Sequence, residues 1–367
     1  VTAIAAYTFY NCTGLKSVTF GDKLKTIGNQ AFYGCSRLES ITLSNEIEEI
    51  GTFAFTQSGL TSIEIPSGII EQRAFNNCEN LKSVVIGDGV TEIGNSVFQD
   101  CTKLETISIG NSVEKIGIDA LNNCAIKSLK IPDNVEEIGY NICRECKELE
   151  SVEIGNGVIT ISDMSFFQCE NLKSVLIGES VETINRSAFA GCYKLESIVI
   201  PNNVETIKEQ AFEACGRLKS ITLGSELKTI EQNVFRGCDD LEEITSLNTV
   251  PPVFDASNFT TQQYVDVMVY VPAEAVNTYR NAAGWRDFFS IQAMEAGVKN
   301  VGAADGVQVR VVDGSIIADG IENNGGVMSI YNIGGQCVYS GSSSNVSGLA
   351  SGVYVVRIGD TVTKVIL

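Results

Sequence analysis

Residues Leu15–Cys35, LKSVTFGDKLKTIGNQAFYGC, decide the fold, because close copies of this stretch fill two-thirds of the chain. Cysteine returns at Cys12, Cys35, Cys78, Cys101, Cys124, Cys146, Cys169, Cys192, Cys215 and Cys238, mostly at intervals of 23, with Ser58 filling the empty register between Cys35 and Cys78. Every turn approximates C-x-x-L-x-S-I-x-I-G-x-x-V-x-x-I-G-x-x-A-F-x-x, and a fixed period of this length marks a stacked-repeat architecture. Two turns are cut short, around PSGIIEQRAF and at CAIKSL. Ten turns run from Cys12 to Gly237 after a half-turn, VTAIAAYTFYN, that begins in mid-pattern. Repeat arrays normally open with a polar cap, so further residues are expected upstream of Val1.

Within a turn, L-x-S-I-x-I alternates polar and apolar residues and predicts a short strand, Leu15 to Phe20 in the first copy. A bend containing Gly or Pro follows, as GDK, PDN or PNN; V-x-x-I then buries a second apolar pair, and A-F makes a short helical or irregular return. One turn cannot enclose a core. Ten turns stacked at about 4.8 Å, the spacing of strands in a sheet, give a parallel β-solenoid about 48 Å long with one continuous interior.

The repeated I-G-x-x-A-F-x-x-C-x-x-L-x-S-I-x-I resembles the bacterial leucine-rich repeats of BspA-like surface proteins over about two-thirds of the chain. It departs from the generic leucine-rich repeat in having no repeated Asn where the chain leaves the strand. The resemblance implies a non-enzymatic protein of the cell exterior or outer-membrane surface that adheres to host extracellular proteins or to other bacteria.

Stacking in register turns each repeat position into a column. After the repeat Leu come Lys16, Glu39, Thr61, Lys82, Glu105, Lys127, Glu150, Lys173, Glu196, Lys219 and Glu242, alternating in sign except at Thr61, as expected where like charges one strand apart would repel. A hydroxyl column, Ser17 to Ser220, reads as small polar residues along a sheet, since a serine without a base is a weak nucleophile. Two residues on, the column is irregular: Thr19, Thr42, Glu64, Val85, Ser108, Lys130, Glu153, Leu176, Val199 and Thr222. Irregularity inside a strict repeat means that the fold does not dictate these positions, and they are the candidate binding surface, with Val85, Leu176 and Val199 expected as exposed aliphatics. Glu48, Glu49, Glu92, Glu114, Glu136, Glu137, Glu182 and Glu205 form an acidic row that reads as a solvated outer face, the alternative being a basic partner or loosely held calcium.

Composition removes other classes. A net charge of −19 argues against nucleic acid and anionic membranes, which reward clustered Lys and Arg. No apolar run approaches the roughly 18 residues of a membrane span. The absence of histidine takes away the commonest general base and metal ligand, so no catalytic residue, metal or cofactor is expected. The cysteines follow the repeat and not a loop-closing plan, and Cys143 replaces the Phe seen at Phe98 and Phe166; buried reduced thiols are expected. Cys143 and Cys146 have zinc spacing but no partner pair.

Three units are thus expected: the solenoid at 1–245, a cap at 246–297 and a β-sandwich at 298–367. In the cap, an alternating strand Val265–Val271 precedes a helix from about Ala273, and Trp285 and its aromatic neighbours supply core; the stretch is suited to covering an open end of the array. Its YVP followed by AVNTYRNAAGWRDFFSI is similar to the segment closing other BspA-like arrays. The runs VQVRVVDGSIIADG, VMSIYNIGGQCVYSG and GVYVVRIGDTVTKVIL, broken by turn residues, predict a small antiparallel sandwich. Ser329–Asn332 with Gly335–Gln336, Leu349 to Tyr354 and Lys364–Ile366 are similar to the sorting domains of type IX secretion in Bacteroidetes, implying passage across the outer membrane. The expectation is a monomer binding an extracellular protein; glycan or nutrient capture and a structural envelope role are the alternatives.

Overall fold

Apolar residues two apart in a strand point to one side, so V-x-I and V-x-x-I segments stacked in register close a tube around their own side chains. The computed structural model describes residues 1–294 and, beyond them, 301–302, 308–312, 315–319, 327–332, 337–349, 353–358 and 361–367. Two rows of parallel strands run along the solenoid. The first contains Ser17–Val18, Ser40–Ile41, Ser62–Ile70, Ser83–Ile93, Thr106–Ser108 and so on to Glu243–Ser246, with Ser128 facing Ser151 and Ser220 facing Glu243. The second starts at Ala3–Ile4 and Thr26–Ile27 and ends at Val253–Phe254.

The A-F return is not helical. It forms a third ladder, in which alternate amides bond to the following turn: Gln30 to Thr52 at 2.9 Å, Phe32 to Ala54 at 2.7 Å and Gly34 to Thr56 at 2.8 Å. Reaching those carbonyls needs two left-handed residues per turn. The first column includes Tyr7, Gln30, Phe53, Arg73 and Asn141, and the second Asn11, Gly34, Asn77, Ala214 and Gly237, all with φ between 53° and 77°. Left-handed backbone costs a non-glycine residue roughly 1–2 kcal/mol, and here the inter-turn hydrogen bonds hold it in place.

The interior is a stack of rings. Phe32 and Phe55 lie 5.0 Å apart and 1° from parallel, and the row continues through Phe75 to Phe98. It breaks where Leu121 and Cys143 replace Phe, then resumes from Phe166 through Phe189, Phe212 and Phe235 to Phe259. The fully buried Cys143 confirms its reading as an apolar filler.

The array is longer than ten turns, at about thirteen. Met268–Val271 and Ser290–Ala293 add two parallel rungs to the sheet, with Ile244 facing Val269 and Val269 facing Ile291. The Leu and Ser of the repeat are gone there, and the inward apolar positions alone carry the pattern. The cap strand also starts later than the sequence suggests. Val265 belongs to the helix Thr261–Asp266, which begins at a capping box between Thr260 and Gln263, and it is exposed. The expected helix from Ala273 is a 3₁₀ turn, Ala273–Ala275, running into Val276–Asn281. Tyr279 and Trp285 close the end, with Trp285 Nε1 donating to the Pro252 carbonyl at 2.7 Å and the Tyr279 hydroxyl to that of Asn248 at 2.9 Å.

Among the described residues the C-terminal strands pair antiparallel. One sheet holds Val301–Gly302, Gln308–Val312, Ser315–Asp319 and Asn345–Val346; the other holds Met328–Asn332, Cys337–Gly341, Val353–Ile358 and Thr361–Ile366. Val309, Ile316, Met328, Ile330, Val356 and Ile358 share one buried cluster across both sheets. Gly335, Gln336 and Gly352 of the sorting-like motif lie outside the described residues.

Candidate functional site

The irregular column stands where strand alternation puts it, between two inward residues of each rung. Glu64 faces Val85, Val85 faces Ser108, Lys130 faces Glu153, Glu153 faces Leu176, and Val199 faces Thr222. Successive side chains are therefore about 5 Å apart on a rigid sheet. Thr19, Thr42, Glu64, Val85, Ser108 and Lys130 are exposed, and Glu153, Leu176 and Val199 are half-buried. Thr222 corrects the expectation: it keeps 1 % of its surface, as does Thr245 on the next rung, so the outward face is covered at this end. The three aliphatics do not form one patch. Val85 is separated from Leu176 by Ser108, Lys130 and Glu153, and only Leu176 and Val199 occupy neighbouring turns.

Charge is arranged from turn to turn. Lys130 Nζ meets Glu153 Oε1 at 2.6 Å inside the candidate column, and this hydrogen bond pushes the lysine pKa up. In the alternating column Lys173 pairs with Glu150 at 2.8 Å. In the acidic row, Glu48, Glu137 and Glu205 pair with Lys25, Lys115 and Lys228 of adjacent turns, as a solvated outer face would. Among the described residues no group of three or more Cys, Asp or Glu is placed to hold a metal ion.

The thiols do more than fill space. Cys35 donates to the Phe9 carbonyl at 3.1 Å, Cys101 to that of Phe75 at 3.2 Å, Cys169 to that of Cys143 at 3.2 Å and Cys238 to that of Phe212 at 3.3 Å. Each S–H thus satisfies a carbonyl of the preceding turn. Burial pushes the Cys35 thiol up to about 11 and raises Cys101, Cys124, Cys169, Cys192 and Cys238 as well, which keeps them protonated and unreactive. Where Ser58 replaces cysteine, its hydroxyl lies 3.3 Å from Cys78 Sγ. Cys12 and Cys337 are exposed.

The family described as BspA type Leucine rich repeat region matches in six copies over residues 2–125, 68–195 and 136–262. The chain belongs to the BspA-type leucine-rich-repeat family. No curated protein sequence matches it. Among solved structures, this BspA-type chain is similar to a leucine-rich repeat protein from Bacteroides ovatus at 25% identity, covering 80% of this chain and 82% of that one, with a TM-score of 0.45. A leucine rich cell surface protein from Faecalibacterium prausnitzii is 26% identical over 67% of this chain and 83% of that one, with a TM-score of 0.39. A leucine-rich repeat protein from T. pallidum is 26% identical over 53% and 82%, with a TM-score of 0.40. Superpositions at this level add nothing to the family match, which rests on the repeat itself.

Reading only the strand column overlooked the aromatics on the return ladder of this BspA-type solenoid. Tyr7 and Tyr10 are 57% and 43% exposed, and Tyr10 stacks on Tyr33 at 5.2 Å. The signal was present at the free positions of A-F-x-x-C, one residue after Phe9 and Phe32. A cleft of about 280 Å³ at the cap, bordered by Pro251, Val253, Tyr264, Gly284, Trp285 and Asp287, is mostly apolar. Among the described residues no helix is long and apolar enough to cross a membrane.

Proposed function

We propose that this chain is a non-enzymatic, cell-surface or secreted protein-binding molecule, adhesin-like, whose ligand is an extracellular protein of a host or of another bacterium. The observation that carries the reading is the exposed part of the irregular column, Thr19, Thr42, Glu64, Val85, Ser108 and Lys130, held on a rigid sheet inside an otherwise fixed repeat. A broad surface without convergent polar chemistry suits a protein better than a small molecule. Location at the cell exterior is supported by the family and by the sorting-like pattern of the C-terminal sandwich. The chain acts as a monomer in this reading.

Binding of the intact chain to immobilised extracellular matrix proteins tests it. A ligand found in this way should lose at least about tenfold in affinity with Val85→Asp, about 1.4 kcal/mol, while the thermal midpoint stays put. Unchanged binding with both Val85→Asp and Thr42→Arg would remove the column from the ligand surface. One observation favours a second reading, glycan capture: Tyr7, Tyr10 and Tyr33 cluster on the return ladder. A glycan array probed with the chain and with Tyr10→Ala decides it.

A further inference from the structure

The outward face of the strands should stay exposed along the array, because the alternation that turns it outward is the same on every rung. It does not. The strand Ser128–Ile131 shows the alternation of a one-sided sheet, exposed, buried, exposed, buried. The strands Ser220–Leu223 and Glu243–Ser246 are half-buried at their first residue and buried at the other three. Inward Ile221 and Leu223 are two of the three buried in the first of these strands, and the third is outward Thr222.

Neighbouring side chains in the sheet are too small to bury it. Thr222 stands between Val199 and Thr245, whereas Ser108, between Val85 and the longer Lys130, is exposed. The cover therefore comes from outside the solenoid, and its footprint can be traced. Lys130 is exposed, Glu153, Leu176 and Val199 are half-buried, Thr222 and Thr245 are buried, Tyr270 is half-buried and Gln292 is exposed again. From Glu153 to Tyr270 this is six rungs, about 24 Å at sheet spacing, the width of one small β-sandwich.

We infer that the chain's own C-terminal sandwich docks on the strand face over Thr222 and Thr245, leaving Thr19 to Lys130 as the long stretch of the column open to an external partner. The solenoid and cap are built into the sheet and cannot fold over it, so the region beyond Met294 is the part of the chain left to supply the cover. Thr222, Thr245 and Tyr270 on the solenoid, and Asn332 and Arg357 on the sandwich, are each held by a polar or ring interaction. The Tyr331 phenol of the sandwich is within electrostatic range of Lys130, where its ionised form helps to hold the lysine pKa up, and this sets the strand Met328–Asn332 on the near side of the footprint. Two threonines, short and without charge, give the docked surface a flat seat. The inference stands whatever the external ligand is, protein or glycan.

Thiol labelling of the intact chain tests it. Thr222→Cys should react with a maleimide about 100-fold more slowly than Ser108→Cys, since reaction then waits on local opening, with labelled peptides separated from those of Cys12 and Cys337 by mass. Equal rates would overturn the docking. A second variant, Thr222→Arg with Thr245→Arg, should release the sandwich and raise the radius of gyration in X-ray scattering, while Ser108→Arg leaves it unchanged. If Thr222→Cys is protected but the double arginine variant, with an unchanged circular dichroism spectrum, scatters like the parent chain, the cover is not the sandwich and the inference fails.

Discussion

The return ladder and the strand face share one period, yet they use it in opposite ways. On the ladder the fold dictates the inward side chains, Phe at the core and cysteine at the carbonyl of the turn before, and it requires left-handed backbone twice per turn. On the strand face the fold dictates only the inward residues, and the outward ones run from Thr19 through Val85 to Lys130 without a rule. Stability is concentrated in the first region, and variation that a ligand could read is concentrated in the second.

The largest test of that division is Phe189→Ala. Phe189 is fully buried and stacked 5.2 Å from both Phe166 and Phe212, so its loss should cost about 3–5 kcal/mol in denaturant unfolding. Val85→Asp, in contrast, should stay within about 0.5 kcal/mol of the parent. Comparable losses at both sites would mean that the two regions do not divide the work.

Alkaline titration probes the ladder's thiols together. Cys35 rises from an ordinary value of 9.0 to about 11 on burial, and Cys101, Cys124, Cys169, Cys192 and Cys238 shift the same way. The folded chain holds these protons more tightly than the unfolded one. Their contribution is complete below pH 9 and is lost as pH rises through the folded values, so the thermal midpoint should fall steadily above pH 9. Cys215→Ser, which keeps a donor for the Phe189 carbonyl, should destabilise less than Cys215→Val, which removes it.

The ladder also marks where reading the residues stopped. The 23-residue period, the core rows and the filler role of Cys143 were legible because they depend on side-chain type at fixed spacing. The left-handed positions were not, since Tyr7, Gln30, Phe53 and Arg73 carry no turn signal and adopt that backbone only because the next turn supplies the carbonyl. The two extra rungs were hidden for a related reason: Val269 and Ile291 keep the inward pattern after the Leu and Ser that announce it have gone. Thr222 looked as free as Thr42 because its cover lies outside the repeat, and no property of the column predicts it. Ala214→Gly offers a direct measure of the ladder's strain. At φ 58°, removing the Cβ recovers roughly 1–2 kcal/mol and gives back about 0.5–1 in chain entropy, leaving a net gain of under about 1.5 kcal/mol.

The smallest effect sharpens the comparison most on the strand face. Lys130 and Glu153 are 2.6 Å apart, with side chains 68% and 36% exposed, at the edge where the face passes from open to covered. An ion pair in water at this exposure couples by about 0.2–1 kcal/mol. A double-mutant cycle with Lys130→Met and Glu153→Gln, read in 0.1 M and again in 1 M salt, should give a coupling in that range that shrinks with salt, because screening acts on solvated charges. A larger coupling that ignores salt would place the pair under cover, move the near edge of the covered face at least one rung toward Ser108, and shorten the open stretch available to a ligand.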